Sequence, residues 1–412
     1  MINDKIGDEK RKERGRMIAK TCEIRHEEGN WIVPSQATSG SYKVWLDNFQ
    51  PKCNCPDYQI RKCKCKHIFA VEFTLEQKVD NKGNMTMIKT MKVSYQQDWS
   101  SYDYASINQK LFFLELLSDL TKTIEQPVYT FGRPKIPLQE MVFASVLKVY
   151  TTFSLRRFMS DLQTAKEKGY IEHKPCYASV GHFMQKKELT PILRGLVQLS
   201  SLALKSVETD FAIDGSGFST SRFARWFSTR YQKDTVKRKW IKAHIFCGVK
   251  TNIITDVMIG SDYSHDTKYL PELLNTTAKN FNIKEVSADK AYSSRNNMNL
   301  IEDVGAVPFI PFRKSVTIKT HASGSFMWKK MFHYFIYKQE EFMQHYHKRS
   351  NVETCFHMIK SKFGDGIRSK DETAQINEVL AKVLCHNICV VIQEIHELGI
   401  KGEFTAKKEV KE

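Results

Sequence analysis

Residues 207–218 read VETDFAIDGSGF. An apolar run, Phe211-Ala212-Ile213, ends in Asp214 and then in Gly215-Ser216-Gly217. The pattern predicts a buried strand whose tip offers a carboxylate beside backbone that a phosphate or metal can approach closely. It recurs downstream, where Val286-Ser287-Ala288 leads into Asp289 and then Lys290-Ala291-Tyr292-Ser293. A carboxylate at the C-terminal end of a buried strand is held rigidly at a cleft. Between and after these two tips, residues 240–251 (WIKAHIFCGVKT) and 252–260 (NIITDVMIG) predict strands. Residues 266–281 predict a helix, residues 306–312 a short strand, and the stretch from Phe326 onward a long helical pattern. Three strands, then helix, strand, strand and helix, is an α/β order.

Upstream, residues 106–210 read as mostly helical, with apolar residues at helical spacing in LFFLELLSDLTKTI and in the run from Leu138 to Gly169. Residues 78–105 are polar and read as a linker, residues 21–50 as short strands, and the C-terminal tail, 396–412, as disordered. The 412 residues suit two or three domains, and 41% hydrophobic content supports a packed core. A net charge of +17 suits a polyanionic partner, because Lys and Arg release counterions from a phosphate backbone. The N-terminus is a mixed-charge run without a following apolar segment, unlike a secretory signal, and no apolar run reaches the roughly 18 residues of a membrane span.

Four of the ten cysteines fall between Cys53 and Cys65. A local cluster of this kind reads as a metal site rather than as a disulfide framework. Zn²⁺ takes four thiolate or imidazole ligands in a tetrahedron, and a Cys-x-Cys pair with a Cys-x-His pair can grip it from two loops. The run from Cys53 to His67 resembles the SWIM zinc finger. The likeness extends to the strand before it (residues 42–46), to Pro56-Asp57-Tyr58 and to the apolar helix start Ile68-Phe69-Ala70-Val71. It implies Cys53, Cys55, Cys65 and His67 as ligands of a structural Zn²⁺, with Cys63 a fifth candidate that the pattern does not require. The plain alternative is a set of reduced surface cysteines beside a chance histidine. The positive edge, Arg61, Lys62, Lys64 and Lys66, suggests DNA contact, although SWIM modules also bind proteins.

A third acidic residue comes from YHKRSNVETCFHMIK, residues 346–360. At about 100° per residue, Tyr346, Arg349, Glu353 and Lys360 share one narrow helix face. A phenol, a guanidinium, a carboxylate and an ammonium do not build a core stripe. The spacing Y-x₂-R-x₃-E-x₆-K, preceded by Asp214 in I-D-G-S and Asp289 in A-D-K-A-Y, resembles the signature of DDE transposases of bacterial and archaeal insertion sequences, of the insertion-sequence-four type. The resemblance covers roughly residues 200–395. It implies an α/β ribonuclease H-like catalytic domain, a mixed sheet with flanking helices, with Asp214 on the first strand, Asp289 on the fourth and Glu353 on a late helix. It further implies that these three hold two Mg²⁺ (or Mn²⁺) ions for DNA strand cleavage and strand transfer, and that Tyr346, Arg349 and Lys360 contact DNA. Only 63 residues separate Asp289 from Glu353, so the large β-rich insertion of the family's archetypes is not expected, and Trp226, Trp240 and Trp328 read as packing residues. His265, in a His-Asp pair before a helix, is as readily a cap neighbour as a DNA contact.

The expected organisation is therefore a small zinc-binding α+β domain with linker (1–95), a helical DNA-end-binding domain (106–205), the catalytic domain (206–395) and the tail. Arg156, Arg157, Lys166, Lys168, Lys186 and Lys187 give the helical part basic faces, and residues 178–184 could start a recognition helix. The expected partners are double-stranded DNA, both transposon ends with their terminal inverted repeats and target, and a second copy in a synaptic homodimer. The expected setting is a prokaryotic cytoplasm, on the nucleoid and away from membranes. The competing readings are a domesticated, non-catalytic zinc-dependent DNA-binding protein and a metal-dependent endonuclease of the same fold.

Overall fold

A computed structural model describes residues 2–22, 24–27, 30–36, 40–45, 51–79, 85–89, 98–128, 131–132, 134–220, 240–260, 265–313, 316, 325–402 and 404. The chain divides into Met1–Tyr95 and Gln96–Glu412. In the first unit, helix α1 (Ile2–Thr21) precedes an antiparallel sheet in the order β1 (Arg25–Glu27), β2 (Asn30–Pro34), β3 (Ser41–Trp45), β4 (Lys52–Cys53). Alternation along β2 buries Trp31 and Val33, which join Ile18, Val44, Ile68, Ala70 and Val71 in a small core. Helix α2 (Pro56–Arg61) starts on Pro56 at its first turn and stops where Lys62 turns left-handed, at φ 54°. Helix α3 (Lys66–Thr74) follows. Gly15 of α1 lies so close to α3 that a Cβ there would stand 2.5 Å from that of Phe69. The expected linker begins instead with a hairpin, β5 (Leu75–Val79) on β6 (Met85–Lys89).

In the second unit, the last part of that expected linker is helical. Helix α4 (Trp99–Ile107) is capped by Asp98, whose carboxylate accepts from the N–H groups of Ser100 and Ser101. Five more helices follow: α5 (Gln109–Lys122), α6 (Leu138–Tyr150), α7 (Met159–Glu167), α8 (Tyr177–Met184) and α9 (Leu189–Ser201). Then come β7 (Asp210–Ser219), β8 (Trp240–Gly248), β9 (Ile254–Gly260), α10 (Leu270–Ala278), β10 (Glu285–Ala288), α11 (Arg295–Asp303) and β11 (Val307–Phe309). The predicted long C-terminal helix is four helices: α12 (Phe326–Tyr337), α13 (Gln339–Tyr346), α14 (Ser350–Phe363) and α15 (Glu372–Leu398). A 3₁₀ turn, His347–Arg349, joins α13 to α14, and Gly364 at φ +81° ends α14.

The five strands form a mixed sheet in the order β11-β10-β7-β8-β9, with β7, β8 and β9 antiparallel and β10 and β11 parallel to β7. Side-chain alternation along β7 feeds two cores. Ala212 and Phe218 join Ile245, Val257 and residues of α5 to α9, α14 and α15. Phe211 and Ile213 join Phe246, Val286 and residues of α10 to α13. The helices of 106–205 thus share a core with the sheet. Arg194 of α9 also donates to both carboxylate oxygens of fully buried Asp256 on β9, at 2.8 and 2.6 Å.

Helix α15 runs through this core. By length and composition it could span a membrane, but 83% of its most apolar window is buried inside the protein. Several of its buried polar side chains are hydrogen-bonded to other elements. Asn387 accepts from the N–H of Ile254 and donates to the carbonyls of Ile254 and Val197 and to Ser200 Oγ. The helix passes the expected boundary at 395, and Phe404 packs in the core while its N–H donates to Asp119, so the disorder expected from 396 does not hold as far as 404. Residues 405–412 lie outside the described residues. Asn387→Leu strands several of these groups at once. It is expected to cost about 2–4 kcal/mol, read as a lowered midpoint in urea or thermal unfolding.

Candidate active site and zinc centre

Cys53 closes β4, Cys55 caps α2, and Cys65 and His67 stand at the start of α3. All four are buried, and their ligand atoms lie within 4.8 Å of one another. His67 Nδ1 is 3.9 Å from the sulfurs of both Cys53 and Cys65. Bonds of about 2.0–2.3 Å to a tetrahedral zinc ion set ligand atoms roughly 3.5–3.8 Å apart, so a contraction of at most about 1 Å would close this cradle. The hydrogen bond from the Cys53 thiol, helped by His67, holds Cys65 down at about 4 and pushes Cys53 up. One thiolate is thus stabilised before any cation arrives. Cys63 is half-buried and outside the cluster, so the fifth candidate is not a ligand here. The positive edge is partly engaged: Arg61 pairs with Asp57, Lys64 with Glu72, and Lys66 donates to Gln36.

In the second unit, parallel pairing of β7 with β10 sets Ile213 beside Ala288, and so Asp214 beside Asp289 one residue later. Asp214 accepts from the N–H of Gly215 and Asp289 from that of Lys290. Glu353 lies in the first turn of α14 and is largely exposed. Arg349 joins the set: Nη1 donates to Asp214 and Nη2 to Glu353, each at 2.5 Å. Burial pushes the Asp214 carboxyl above its usual range. Gly215 and Arg349 pull it back, and the negative charges of Asp289 and Glu353 push it further up. The Asp214 carboxylate therefore feels the other two, but as a set the three do not close to within 4.8 Å, and the guanidinium bridges Asp214 and Glu353. An all-oxygen donor set with unbalanced negative charge fits hard divalent cations such as Mg²⁺.

Tyr346, Arg349, Glu353 and Lys360 do not share one uninterrupted α-helix. Tyr346 ends α13, Arg349 lies in the 3₁₀ turn, and Glu353 and Lys360 are on α14. The guanidinium of Arg349 is 6.0 Å from the Tyr346 ring. Lys360 donates to Ser216 Oγ at 2.7 Å and sits 5.3 Å from the Phe218 ring; burial lowers its pKa. His265 is the exposed residue that precedes the short turn Asp266–Tyr269. Trp328 is core, packed on Phe312, Trp240 covers Gly217, and Trp226 lies outside the described residues.

Sequence reasoning missed several polar residues here. Lys242 forms an ion pair with Asp266. His244 is fully buried on β8, stacked on Tyr269 at 3.9 Å, with neither ring nitrogen hydrogen-bonded. Tyr292 is buried, and its hydroxyl lacks a partner while feeling the charges of Asp214, Asp266 and Asp289. Each depends on contacts across the sheet that no local motif signals.

Two outcomes follow from these arrangements. Metal analysis of the purified chain is expected to find about one zinc per molecule, lost in Cys53→Ser or Cys65→Ser and kept in Cys63→Ser. Burial lowers the His244 pKa to about 4 from an ordinary 6.5. Unfolding the chain lets this imidazole bind a proton that the folded chain refuses. Its contribution to stability is therefore complete above about pH 6.5 and is lost as the pH falls toward 4. Denaturant unfolding at pH 7 and pH 5 is expected to show a smaller drop for His244→Phe than for the parent.

Residues 205–388 match the family described as "Transposase DDE domain", and residues 42–76 match "SWIM zinc finger". Over 221 residues the chain is 27% identical to "Probable transposase for insertion sequence element ISA1214" of Archaeoglobus fulgidus, a match covering 53% of this chain and 64% of that protein. The chain thus spans a little under two thirds of the length of this relative. A DDE domain implies a ribonuclease H-like fold, and the mixed sheet agrees with it. Residues 205–388 are thus similar to a transposase DDE domain, and residues 42–76, ahead of them, to a SWIM zinc finger.

Proposed function

We propose that the chain is a DNA transposase that cuts and joins DNA at the terminal inverted repeats of an insertion-sequence element. The observation that carries this reading is the convergence of Asp214 and Asp289, on adjacent paired strands, with Glu353 of α14 through Arg349. Asp214, Asp289 and Glu353 would hold two Mg²⁺ (or Mn²⁺) ions, which when bound activate the attacking oxygen and stabilise the leaving one. The paired strands fix two of the carboxylates on rigid backbone, and burial keeps Asp214 from being shielded by water. Tyr346, Arg349 and Lys360 line the approach to this set and contact DNA. Phosphodiester oxygens give the Arg349 guanidinium an alternative to the two carboxylates it now bridges.

Binding of the terminal repeats falls to the helices of 106–205. Arg156 stacks 4.8 Å from the ring of Tyr177, at the start of α8, and with exposed Arg157, Lys186 and Lys187 forms a basic edge suited to phosphates. The finger adds a second contact to DNA or to protein. Two ends must be brought together, so the working form is a homodimer, acting on the nucleoid of a prokaryotic cytoplasm.

The deciding experiment incubates the protein with a labelled transposon end, Mg²⁺ and a target plasmid. Joined product supports the transposase, free cuts alone mean a same-fold endonuclease, and a gel shift without cuts means a non-catalytic binder. Asp214→Asn, Asp289→Asn and Glu353→Gln are each expected to lower cleavage by about 10²–10³-fold or more while end binding persists. Full activity in any of them removes that residue from the site. Arg349→Ala is expected to divide two readouts: end-complex formation falls, whereas Mn²⁺ binding without DNA tightens, because the competing guanidinium is gone.

A further inference from the structure

We infer that Lys348, which no signature residue accounts for, is a positioning residue that seats the Glu353 helix against the two strands carrying Asp214 and Asp289. The inference rests on the proposed reading of those three acids as the metal-holding set. Its basis is a second acidic pair on the same sheet face. The β7–β10 register sets Asp210 beside Glu285, and Asp214 and Asp289 follow four residues further on. At about 3.3 Å per residue that is roughly 13 Å along the strands. Lys348 Nζ donates to Asp210 Oδ2 and to Glu285 Oε2, each at 2.6 Å, and its side chain is only 14% exposed. Burial alone would lower its pKa, and the two carboxylates outweigh burial and raise it.

Two further contacts come from the same place. His345 Nδ1 lies 2.9 Å from Glu285 Oε2, and Ser287 Oγ donates to the carbonyl of His345. The end of α13 is thereby fixed to β10. The next residue after Lys348 is Arg349, which reaches Asp214 and Glu353. Consecutive side chains in one 3₁₀ turn therefore grip the strand pair at two levels, Lys348 on Asp210 and Glu285 where the pairing starts and Arg349 on Asp214 four residues along. Glu353 begins one helical turn later, so its distance from Asp214 is set by where this turn sits. A lysine that bridges neighbouring strands also fixes their relative register, and with it the spacing of Asp214 and Asp289.

A lysine that only neutralises two carboxylates would give the same contacts, and the experiment separates the two roles. It measures Mn²⁺ binding by calorimetry or electron paramagnetic resonance on the zinc-loaded full chain, alongside the Mg²⁺ dependence of end cleavage and thermal stability. Four variants are compared with the parent: Lys348→Met, Lys348→Arg, the triple Lys348→Met/Asp210→Asn/Glu285→Gln, and Asp214→Asn as the blank. Lys348→Met is expected to weaken Mn²⁺ binding and raise the half-saturating Mg²⁺ about tenfold, the scale at which groups behind metal ligands act. Lys348→Arg restores most of it, since a guanidinium can span two carboxylates. The triple variant regains thermal stability, having no unpaired carboxylates, but not Mn²⁺ affinity. Parental Mn²⁺ affinity in Lys348→Met, or in the triple variant where the single one fails to fold, overturns the inference. So does full recovery of affinity by the triple. Mn²⁺ binding that survives in Asp214→Asn would instead remove the metal-holding reading itself.

Discussion

Like charges side by side on parallel strands are the constraint around which the second unit is arranged. On one face of β7 and β10, Asp210 neighbours Glu285 and Asp214 neighbours Asp289. Two unit charges about 5 Å apart repel by about 3 kcal/mol at an effective dielectric constant of 20. Cations set against such a sheet offset that repulsion. The chain supplies them from one turn, Lys348 for the first pair and Arg349 for Asp214 of the second, and the helix carrying Glu353 grows directly out of that turn. The negative site and the element that completes it are thus one electrostatic unit.

Much of this was legible locally. An apolar triplet ending in Asp marks a buried strand, and strands carry both acids, but only Asp289 stands just past a strand end, whereas Asp214 lies in the middle of β7, which runs on through Gly215-Ser216-Gly217 to Ser219 instead of turning there. The finger ligands were legible for the same reason, since close pairs of ligands impose their own loop geometry. What a local pattern could not carry was distance. Lys348 meets Asp210 from 138 positions away, and Arg194 meets Asp256 from 62. Periodicity also misled where it was uniform: the residues from Phe326 onward keep helical spacing through breaks at Lys338, at the 3₁₀ turn and at Gly364. The hairpin of β5 and β6 has no such signal, because its apolar residues, such as Leu75, Val79, Met85 and Met87, flank an Asn81-Lys82-Gly83 run that breaks the Asn-Gly turn pattern.

Helix α15 shows why the helical part and the sheet behave as one body. Its buried polar side chains are spent on backbone elsewhere. Asn377 donates to the carbonyls of Met184 and Lys186, Lys382 to those of Gly364 and Gly366, and Asn387 ties β9 to α9. Unpaired, each would cost more than an apolar residue in its place, so each fixes one docking geometry and penalises others. Any DNA-reading surface on α8 or α9 is therefore carried rigidly with the sheet that bears the acids.

The 3₁₀ turn at His347–Arg349 also limits how the protein can drift. An α-helix can gain or lose a full turn and keep its faces, but this stretch is over-wound and pinned by its last two residues, Lys348 and Arg349. One residue added or removed between Tyr346 and Glu353 would swing Glu353 by about 100° away from Asp214. The seven-residue interval is consequently a fixed ruler rather than a periodicity. Length changes in descendants of this gene should accumulate everywhere else before they are tolerated there.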